Sequence, residues 1–143
     1  MLVRDLMMPT VLTPSPNDLV SEVVLSLREV DQVAAIVTDG EGVVGLLTDK
    51  ELADTSEGAL VKDVMRSDFA VIAPGAPLAD AAQAMAEKNQ PYLPVVQAGF
   101  LIGILSLTDV SRWAHSGQEG EHHEVQKVLK LSVKGYESGG SGT

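Results

Sequence analysis

The chain repeats itself, and this internal repeat constrains the fold more than any other feature of the sequence. The segment Val3–Met7 (VRDLM) recurs 58 residues later as Val61–Met65 (VKDVM). The segment Gly45–Leu52 (GLLTDKEL) recurs at the same spacing as Gly103–Val110 (GILSLTDV). Two motifs that recur in the same order and at one spacing indicate two copies of a single structural unit.

The order of predicted elements is also the same in both copies. A short helical turn precedes a short apolar strand, around Thr10–Thr13 in the first copy and Ala70–Ala73 in the second. Prolines then interrupt the chain before a helix, predicted from about Asn17 to Glu29 and from about Leu78 to Lys88. The alanine-rich face of the second helix would let another helix approach closely, although the high helix propensity of alanine explains it equally well.

A hairpin and a closing helix complete each copy. The paired strands are predicted at Gln32–Thr38 with Val43–Thr48 and at Tyr92–Gln97 with Phe100–Ser106. Closing helices start near Asp49 and near Leu107. Pro94 lies within a strand, which predicts either an edge strand or a strand whose backbone faces a ligand. The predicted fold class is α/β (α+β), with the order β-α-β-β-α in each repeat.

Domain boundaries follow from the repeat. We predict repeat 1 at 1–57, repeat 2 at 58–115, a C-terminal extension at 116–135 and a disordered Gly/Ser tail at 136–143. A polar linker over 54–58 joins the repeats. Because one repeat buries little surface by itself, the two copies are expected to pack around a pseudo-two-fold axis. In the extension, Val125, Val128 and Leu129 favour a helix, although the alternating apolar residues over 129–133 are also typical of a strand.

Composition and charge exclude several classes of function. With 45% hydrophobic but only 3% aromatic residues, the core must be aliphatic, and without cysteine the chain has no disulfide or thiolate site. The formal net charge of -10 argues against a nucleic-acid binder, since phosphate contacts require Lys and Arg. No apolar run approaches the roughly 20 residues of a membrane span. The N-terminus lacks a signal-peptide pattern, so a soluble, cytoplasmic protein is expected.

Three features together carry a resemblance to a known family. They are the Val-x-Asp-apolar-Met opening, the strand pair after the long helix, and the pattern Gly-apolar-apolar-[Ser/Thr]-x-x-[Asp/Glu]. On these grounds residues 3–114 resemble a tandem pair of CBS domains, the module named after cystathionine β-synthase. The resemblance implies a flat disc of two repeats whose clefts bind adenosine-containing ligands such as AMP, ADP, ATP or S-adenosylmethionine. It also implies dimerisation through helices and no catalysis by the module.

The second strand-to-helix corner carries the stronger candidate site. Backbone N–H groups at a helix N-terminus attract phosphate, the Ser106 hydroxyl adds a donor, and the Asp109 carboxylate can accept two hydrogen bonds from a ribose diol. The resemblance adds the lining of the base pocket, which consists of Tyr92, Leu93 and Pro94 on one strand and Val71 and Ile72 on the early strand. Helix capping by Ser106 and Asp109 is the competing interpretation. Ligand contact is favoured because the lining also matches.

Thr48 and Glu51 take the equivalent positions in the first copy, where the family pattern has aspartate. Glutamate is one methylene longer, so it would either intrude on the ribose or require a shifted pose. Ala34 and Ala35 replace the Tyr-Leu-Pro segment. Thr48-x-x-Glu51 also fits a capping box, worth roughly 1 kcal/mol without any ligand. Capping is the favoured interpretation of the first corner.

Other charged residues are weaker candidates. The basic residues that could neutralise a phosphate are Arg4, Lys50, Lys62, Arg66 and Arg112, and for most of them a surface salt bridge is the favoured role. Leu107 and Thr108 bring no charge to the second corner, which favours AMP, ADP or adenosine over ATP. His115, His122 and His123, in and just before the extension, fit no established metal pattern. Trp113 is expected to be a packing residue.

The sequence thus predicts a regulatory module, not an enzyme, with no catalytic residue, no metal site and no required cofactor. An adenosine-containing small molecule, such as an adenine nucleotide, would be its regulatory ligand, and a separate target protein would read the response. A homodimer is expected, with neither nucleic acid nor membrane as a partner. The alternative is a structural or dimerisation module whose nucleotide sites are degenerate.

Overall fold

The computed structural model describes residues 1–10, 12–40, 42–53 and 58–140, with side chains described as far as Lys130. Its helices are α1 (Val3–Leu6), α2 (Val20–Glu29), α3 (Asp49–Ala53), α4 (Val61–Val64), α5 (Leu78–Lys88), α6 (Leu107–Ala114) and α7 (Gly120–Gly140). Its strands are β1 (Ala35–Asp39), β2 (Gly42–Leu47), β3 (Tyr92–Gln97) and β4 (Phe100–Ser106). β1 pairs with β2, and β3 pairs with β4, in two separate two-stranded sheets. The predicted mixed α/β fold is confirmed.

The repeated opening motif forms a short helix that is capped by its own aspartate. Asp5 Oδ2 accepts a hydrogen bond from the Leu2 N–H at 2.9 Å, and Asp63 Oδ2 accepts one from the Leu60 N–H at 3.3 Å. Each carboxylate reaches back to the residue before its helix, as the acidic residue of a capping box does. The aspartate shared by the two motifs therefore has a structural role.

The chain divides into two compact units that regroup the sequence repeats. Unit 1 contains Met1–Met8, Ala70–Val95 and the chain from Ile104 onward, and unit 2 contains Pro9–Phe69 and Val96–Gly103. In unit 1 the Val3 N–H donates to the Ala76 carbonyl at 2.9 Å, which ties α1 to the start of α5. In unit 2 the Val61 N–H donates to the Asp18 carbonyl at 2.9 Å, which ties α4 to the start of α2. Each opening helix thus packs with elements from the other sequence repeat. The predicted boundaries 1–57 and 58–115 therefore describe the repeat in the sequence and differ from those of the compact units.

The long helix of the first repeat begins later than predicted. α2 starts at Val20, whereas the sequence favours a start near Asn17. The reason is that Asp18 is used in the preceding turn, where its carboxylate accepts a hydrogen bond from the Ser15 N–H at 2.9 Å. The equivalent helix α5 has the predicted bounds.

The predicted short strands and the linker are only partly described. Ile72, in the predicted strand at Ala70–Ala73, forms a single parallel bridge with Val95. The predicted strand at Thr10–Thr13 includes Val11, and the predicted linker includes 54–57; these residues lie outside the described part of the chain.

Unit 1 is held together by an aliphatic core to which α7 contributes. Val125 and Leu129 of α7 are buried in one cluster with Ala81, Ala82 and Met85 of α5. Their spacing of four residues places both on one helix face. Residues 129–133, whose apolar residues are also typical of a strand, lie within α7, so this segment is helical. The predicted tail at 136–143 overlaps the last turns of α7, and residues 141–143 lie outside the described residues.

Unit 2 has its own aliphatic core. Its buried residues are Val20, Val23, Leu27, Ala35, Val37, Leu47 and Val61. The glycine of the repeated corner motif is needed here because a Cβ atom at Gly45 would collide with the Met65 side chain. Within the described residues, no helix is long and apolar enough to cross a membrane.

Candidate functional site

Ser106 stands where β4 ends and α6 begins. Its backbone is extended, with φ -100° and ψ 145°, and its Oγ accepts a hydrogen bond from the Asp109 N–H at 3.1 Å. Ser106 is therefore the N-cap of α6, which satisfies one N–H of the first turn. Because the hydroxyl accepts in this bond, its hydrogen can still be donated to another group.

The Asp109 carboxylate lies in the first turn of α6 and points toward Arg112. Asp109 Oδ1 is 3.5 Å from Arg112 Nη1, and the Asp109 side chain keeps 29% of its surface exposed. An ion pair of this length at the surface contributes little to stability. The Asp109 carboxylate can therefore exchange this partner for the hydroxyl groups of a ligand at low cost. Arg112, one of the predicted basic residues, lies beside it.

Gln90 organises the wall of this corner, and sequence reasoning did not identify it. Its side chain is 1% exposed and joins two segments: Oε1 accepts from the Ala70 N–H at 2.8 Å, and Nε2 donates to the carbonyls of Ala70 at 2.9 Å and Tyr92 at 2.8 Å. The segment 70–72, where the sequence predicts the early strand, is thereby fixed beside β3. The repeat carried a signal, since Gln32 makes the same set of bonds to Leu12 and Ala34 in unit 2.

The predicted lining residues lie on neighbouring segments of unit 1 but present different groups. The Ile72 N–H donates to the Pro94 carbonyl at 3.0 Å, which places the early strand directly against β3. Tyr92 and Ile72 are partly buried, and Val71 is exposed. Leu93 and Pro94 are buried, Leu93 within the core of the unit. Side-chain surface for a ligand is therefore offered by Tyr92, Val71 and Ile72, while Leu93 and Pro94 support the wall.

The wall and the corner are joined at the start of α6. The Leu107 N–H donates to the Pro91 carbonyl at 2.8 Å, so the residue after Ser106 is bonded to the residue before Tyr92. This bond brings Ser106 close to the segment that carries the lining. The structure thus assembles the second-copy candidates into one region of unit 1.

The first corner, at Thr48 and Glu51, has different chemistry. Glu51 Oε1 accepts hydrogen bonds from both the Thr48 N–H and the Thr48 hydroxyl, each at 2.7 Å. The glutamate reaches back as in a capping box. The threonine differs from the predicted box, because its hydroxyl donates to Glu51 and does not accept from a backbone N–H. The extra methylene of glutamate lets the Glu51 carboxylate reach Thr48, so this carboxylate is occupied by hydrogen bonds within the first corner.

Two further features of the first corner separate it from the second. Thr48 is buried, whereas Ser106 is partly exposed. Ala34 and Ala35, at the positions of Tyr92 and Leu93, are buried and offer little side-chain surface. Both corners therefore join a strand to a helix, but the side chains of the second are more accessible to a ligand than those of the first.

The remaining predicted residues lie at the surface or in packing contacts. Arg4, Lys50 and Lys62 are exposed, and Arg66 Nε donates to the Asp68 carbonyl at 2.8 Å. Trp113 stacks on His122, with ring centroids 4.2 Å apart and planes inclined by 22°. Among the described residues, no cluster of three or more His, Asp or Glu side chains is arranged to hold a metal ion.

Comparison with known proteins identifies the family. The CBS domain model matches the chain twice, over residues 3–58 and 61–116, so the chain belongs to the CBS domain family. It is 35% identical over 116 residues to the CBS domain-containing protein YhcV of Bacillus subtilis (strain 168), a match that covers 76% of this chain and 82% of that protein. The resemblance stated from the sequence is confirmed.

Solved structures agree with this assignment. The structure of CBSX2 in complex with AMP matches with a TM-score of 0.69 and 29% identity, covering 80% of this chain and 96% of that chain. The CBS domain pair of protein MJ0100, in complex with 5'-methylthioadenosine and S-adenosyl-L-methionine, matches with a TM-score of 0.75 over 82% of this chain and 98% of that chain. At 20% identity the second match concerns the fold alone.

Proposed function

We propose that this protein is a regulatory module that binds an adenosine-containing ligand at the corner formed by Ser106 and Asp109, and that a separate protein reads the bound state. The observation that carries the proposal is the contrast between the two corners. Glu51 is bonded twice within its own corner, whereas Asp109 is partly exposed beside a capped helix start with only a long surface ion pair. The CBSX2 structure, which holds AMP, supports the same ligand class.

Each group at this corner has a chemical use in the proposed complex. The Asp109 carboxylate would accept hydrogen bonds from the ribose hydroxyls, which are charge-assisted and so stronger than bonds between neutral groups. The Ser106 hydroxyl and the Thr108 N–H would face a phosphate, because the N–H groups of Leu107 and Asp109 are bonded to the Pro91 carbonyl and to Ser106 Oγ. Tyr92, Val71 and Ile72 would pack against the base. Leu107 and Thr108 bring no charge, so a ligand with few phosphates, such as AMP, fits better than ATP.

Isothermal titration calorimetry against AMP, ADP, ATP and S-adenosylmethionine tests this proposal. We expect heat of binding from at least one ligand, its loss in Asp109→Ala, and its retention in Glu51→Ala. The Glu51→Ala variant is the matched control because it removes the equivalent carboxylate from the other corner. No heat from any of the four ligands would contradict the proposal.

The second candidate function is a structural or dimerisation module with degenerate nucleotide sites. The Glu51 carboxylate, which is committed to Thr48, favours this alternative for the first corner. The net charge of -10 extends the argument to the whole chain, because it repels anionic ligands. Equal titration results for the parent protein and Asp109→Ala, with no binding in either, would support it.

A further inference from the structure

α6 is a short helix whose two ends have different partners. It has eight residues and so spans about 12 Å. At its start, Ser106 caps the first turn and Asp109 presents the candidate carboxylate. At its end, the Ala114 carbonyl accepts a hydrogen bond from Gln126 Nε2 of α7 at 2.6 Å. The ligand corner and α7 therefore lie at opposite ends of one helix.

The bond from Gln126 satisfies a group that α6 cannot satisfy by itself. The last carbonyls of a helix have no partner within it. In α6, those of Ser111 and Trp113 accept from N–H groups of the residues that follow the helix. The Ala114 carbonyl accepts from α7 instead. Gln126 thus caps the C-terminus of α6, as Ser106 caps its N-terminus.

α7 also packs against the buried face of α6. Val110 and Ala114 of α6 are fully buried. They belong to the same apolar cluster as Val125 and Leu129 of α7. Among the other described elements, α7 has the most extensive contact with α6. Since Val110 directly follows Asp109, the cluster that includes α7 extends to the turn that holds the carboxylate.

A helix as short as α6 depends on such contacts. Helices shorter than roughly 12 residues are only marginally stable in isolation, so the caps and the buried face keep α6 ordered. Because helix formation is cooperative, loss of the cap and the packing at the C-terminal end frays the helix toward its start. The position of the Asp109 carboxylate therefore depends on α7.

The two copies of the repeat differ in this support. α3, which carries Glu51, has five residues and none of them is buried. α6, which carries Asp109, is longer and packs against a helix that lies beyond the CBS domain match, since that match ends at residue 116. The additional helix thus supports the corner whose carboxylate is available to a ligand.

We infer that α7 is a positioning element for the Ser106–Asp109 corner, and that Gln126 is its positioning residue through the Ala114 carbonyl. A docked α7 holds the first turn of α6 in the geometry that binds the ligand. Because coupling between two events is reciprocal, a bound ligand in turn stabilises the docking of α7. This regulation rests on the proposed function, whereas the dependence of the corner on α7 requires no nucleotide.

Three variants of α7 test the inference. Gln126→Glu keeps the size of the side chain and replaces its N–H donor by a carboxylate that repels the Ala114 carbonyl. Gln126→Lys keeps a donor at this position and is the rescue variant. Lys127→Gln is the matched control at the neighbouring exposed position.

Two measurements without nucleotide report the two ends of α6. Hydrogen exchange of the Asp109 N–H, followed by NMR, reports the order of the corner, because this group is bonded to Ser106 Oγ. The fluorescence of Trp113, the only tryptophan of the chain, reports its stacking on His122 and so the docking of α7. Titration calorimetry then measures the affinity of each variant for AMP.

We expect Gln126→Glu to change the Trp113 fluorescence, to speed exchange of the Asp109 N–H, and to weaken AMP binding by at least about fivefold, the lower end of typical coupling. Lys127→Gln and Gln126→Lys should behave as the parent protein does. A helix that only adds stability would lower the melting temperature of Gln126→Glu and leave its AMP affinity unchanged, and this result would overturn the inference. Unchanged exchange of the Asp109 N–H in Gln126→Glu would overturn it as well, whatever the fluorescence shows. If AMP does not bind the parent protein, the proposed function is contradicted, and the exchange measured without nucleotide still decides whether α7 positions the corner.

Discussion

Asp109 and Glu51 occupy equivalent positions and differ by one methylene, and this difference decides what each carboxylate can reach. Glu51 is long enough to accept from the N–H and the hydroxyl of Thr48. Asp109 accepts nothing from the Ser106 hydroxyl; there the donor is its own N–H, and the carboxylate faces Arg112. A longer side chain therefore closes the corner on itself, and a shorter one leaves the carboxylate available.

Exchanging these lengths is the first prediction. In Asp109→Glu, the carboxylate should reach back to Ser106 as Glu51 does to Thr48, so affinity for the ligand should fall by at least about tenfold, or roughly 1.4 kcal/mol. The melting temperature should stay the same or rise, since a capping interaction is gained. Titration calorimetry and thermal unfolding measure the two effects. Glu51→Asp is the reciprocal control and should leave ligand affinity at the second corner unchanged; a loss of affinity there would contradict this view of the corners.

Gln90 gives a second prediction at the residue scale. Gln90→Ala removes three short hydrogen bonds, to the N–H and carbonyl of Ala70 and to the carbonyl of Tyr92. At about 1 kcal/mol for each hydrogen bond, the free energy of unfolding should fall by about 2–4 kcal/mol. Gln32→Ala is the matched control. Its bonds to Leu12 are longer, at 3.2 and 3.3 Å, and Gln32 is partly exposed, so the loss should be smaller. Urea denaturation compares the two, and a larger loss for Gln32→Ala would contradict the assignment.

At the scale of elements, α7 is fixed to unit 1 by contacts along its first half. Gln126 Nε2 donates to the Ala114 carbonyl at the end of α6 at 2.6 Å, and His122 stacks on Trp113. The N-terminal ammonium group pairs with Glu121 at 2.6 Å. Polar contacts thus set the position of the helix, while Val125 and Leu129 supply the buried apolar surface.

Truncation of one buried residue should therefore loosen the whole element. Leu129→Ala is expected to lower the free energy of unfolding by about 2–5 kcal/mol, the range for buried leucine. Hydrogen exchange should rise in α7 and in the faces of α5 and α6 beneath it. Lys130→Ala, an exposed neighbour, should change stability by less than about 0.5 kcal/mol. If both variants behave alike, α7 is not a stable part of unit 1 in solution.

Local features of the chain could be predicted from the sequence, whereas features that depend on distant segments could not. The bounds of α5, β3 and β4 could be predicted because apolar spacing and turn residues are local signals. The exchange of α1 and α4 between the sequence repeats could not, since it depends on hydrogen bonds such as Val3 to Ala76 between distant segments. The start of α2 could not be predicted for a related reason. Asp18 can either cap the helix or accept a hydrogen bond in the preceding turn, and in the structure its carboxylate accepts from the Ser15 N–H.

The candidate site shows the same division. Its polar residues could be named from the repeated corner motif, because hydroxyl and carboxylate recur at fixed spacing. Whether each carboxylate is available depends on side-chain geometry that only the structure provides. Gln90 and Gln32 recur at the repeat spacing, but glutamine carries no motif that would have separated a buried clamp from a surface residue.

At the scale of the whole molecule, the division into two units determines which segments a bound ligand should stabilise. The second-corner candidates, Ser106 and Asp109 with their lining, all lie in unit 1, whereas Thr48 and Glu51 lie in unit 2. A ligand bound only at the second corner should therefore stabilise segments of unit 1 that are distant in sequence, namely 70–72 and the start of α6.

AMP, the ligand class of the CBSX2 structure, should make this asymmetry visible. At about 100 times its dissociation constant it should stabilise the protein by about 2.7 kcal/mol, which raises the melting temperature. Hydrogen exchange should slow in Ala70–Ile72, in β3 and at the start of α6, and stay unchanged in α3. Asp109→Ala should abolish both effects, whereas Glu51→Ala should abolish neither. Equal protection of α3 and α6 in the parent protein would mean that both corners bind the ligand. The ligand would then have displaced Thr48 from the Glu51 carboxylate, which would contradict the view that Glu51 is unavailable.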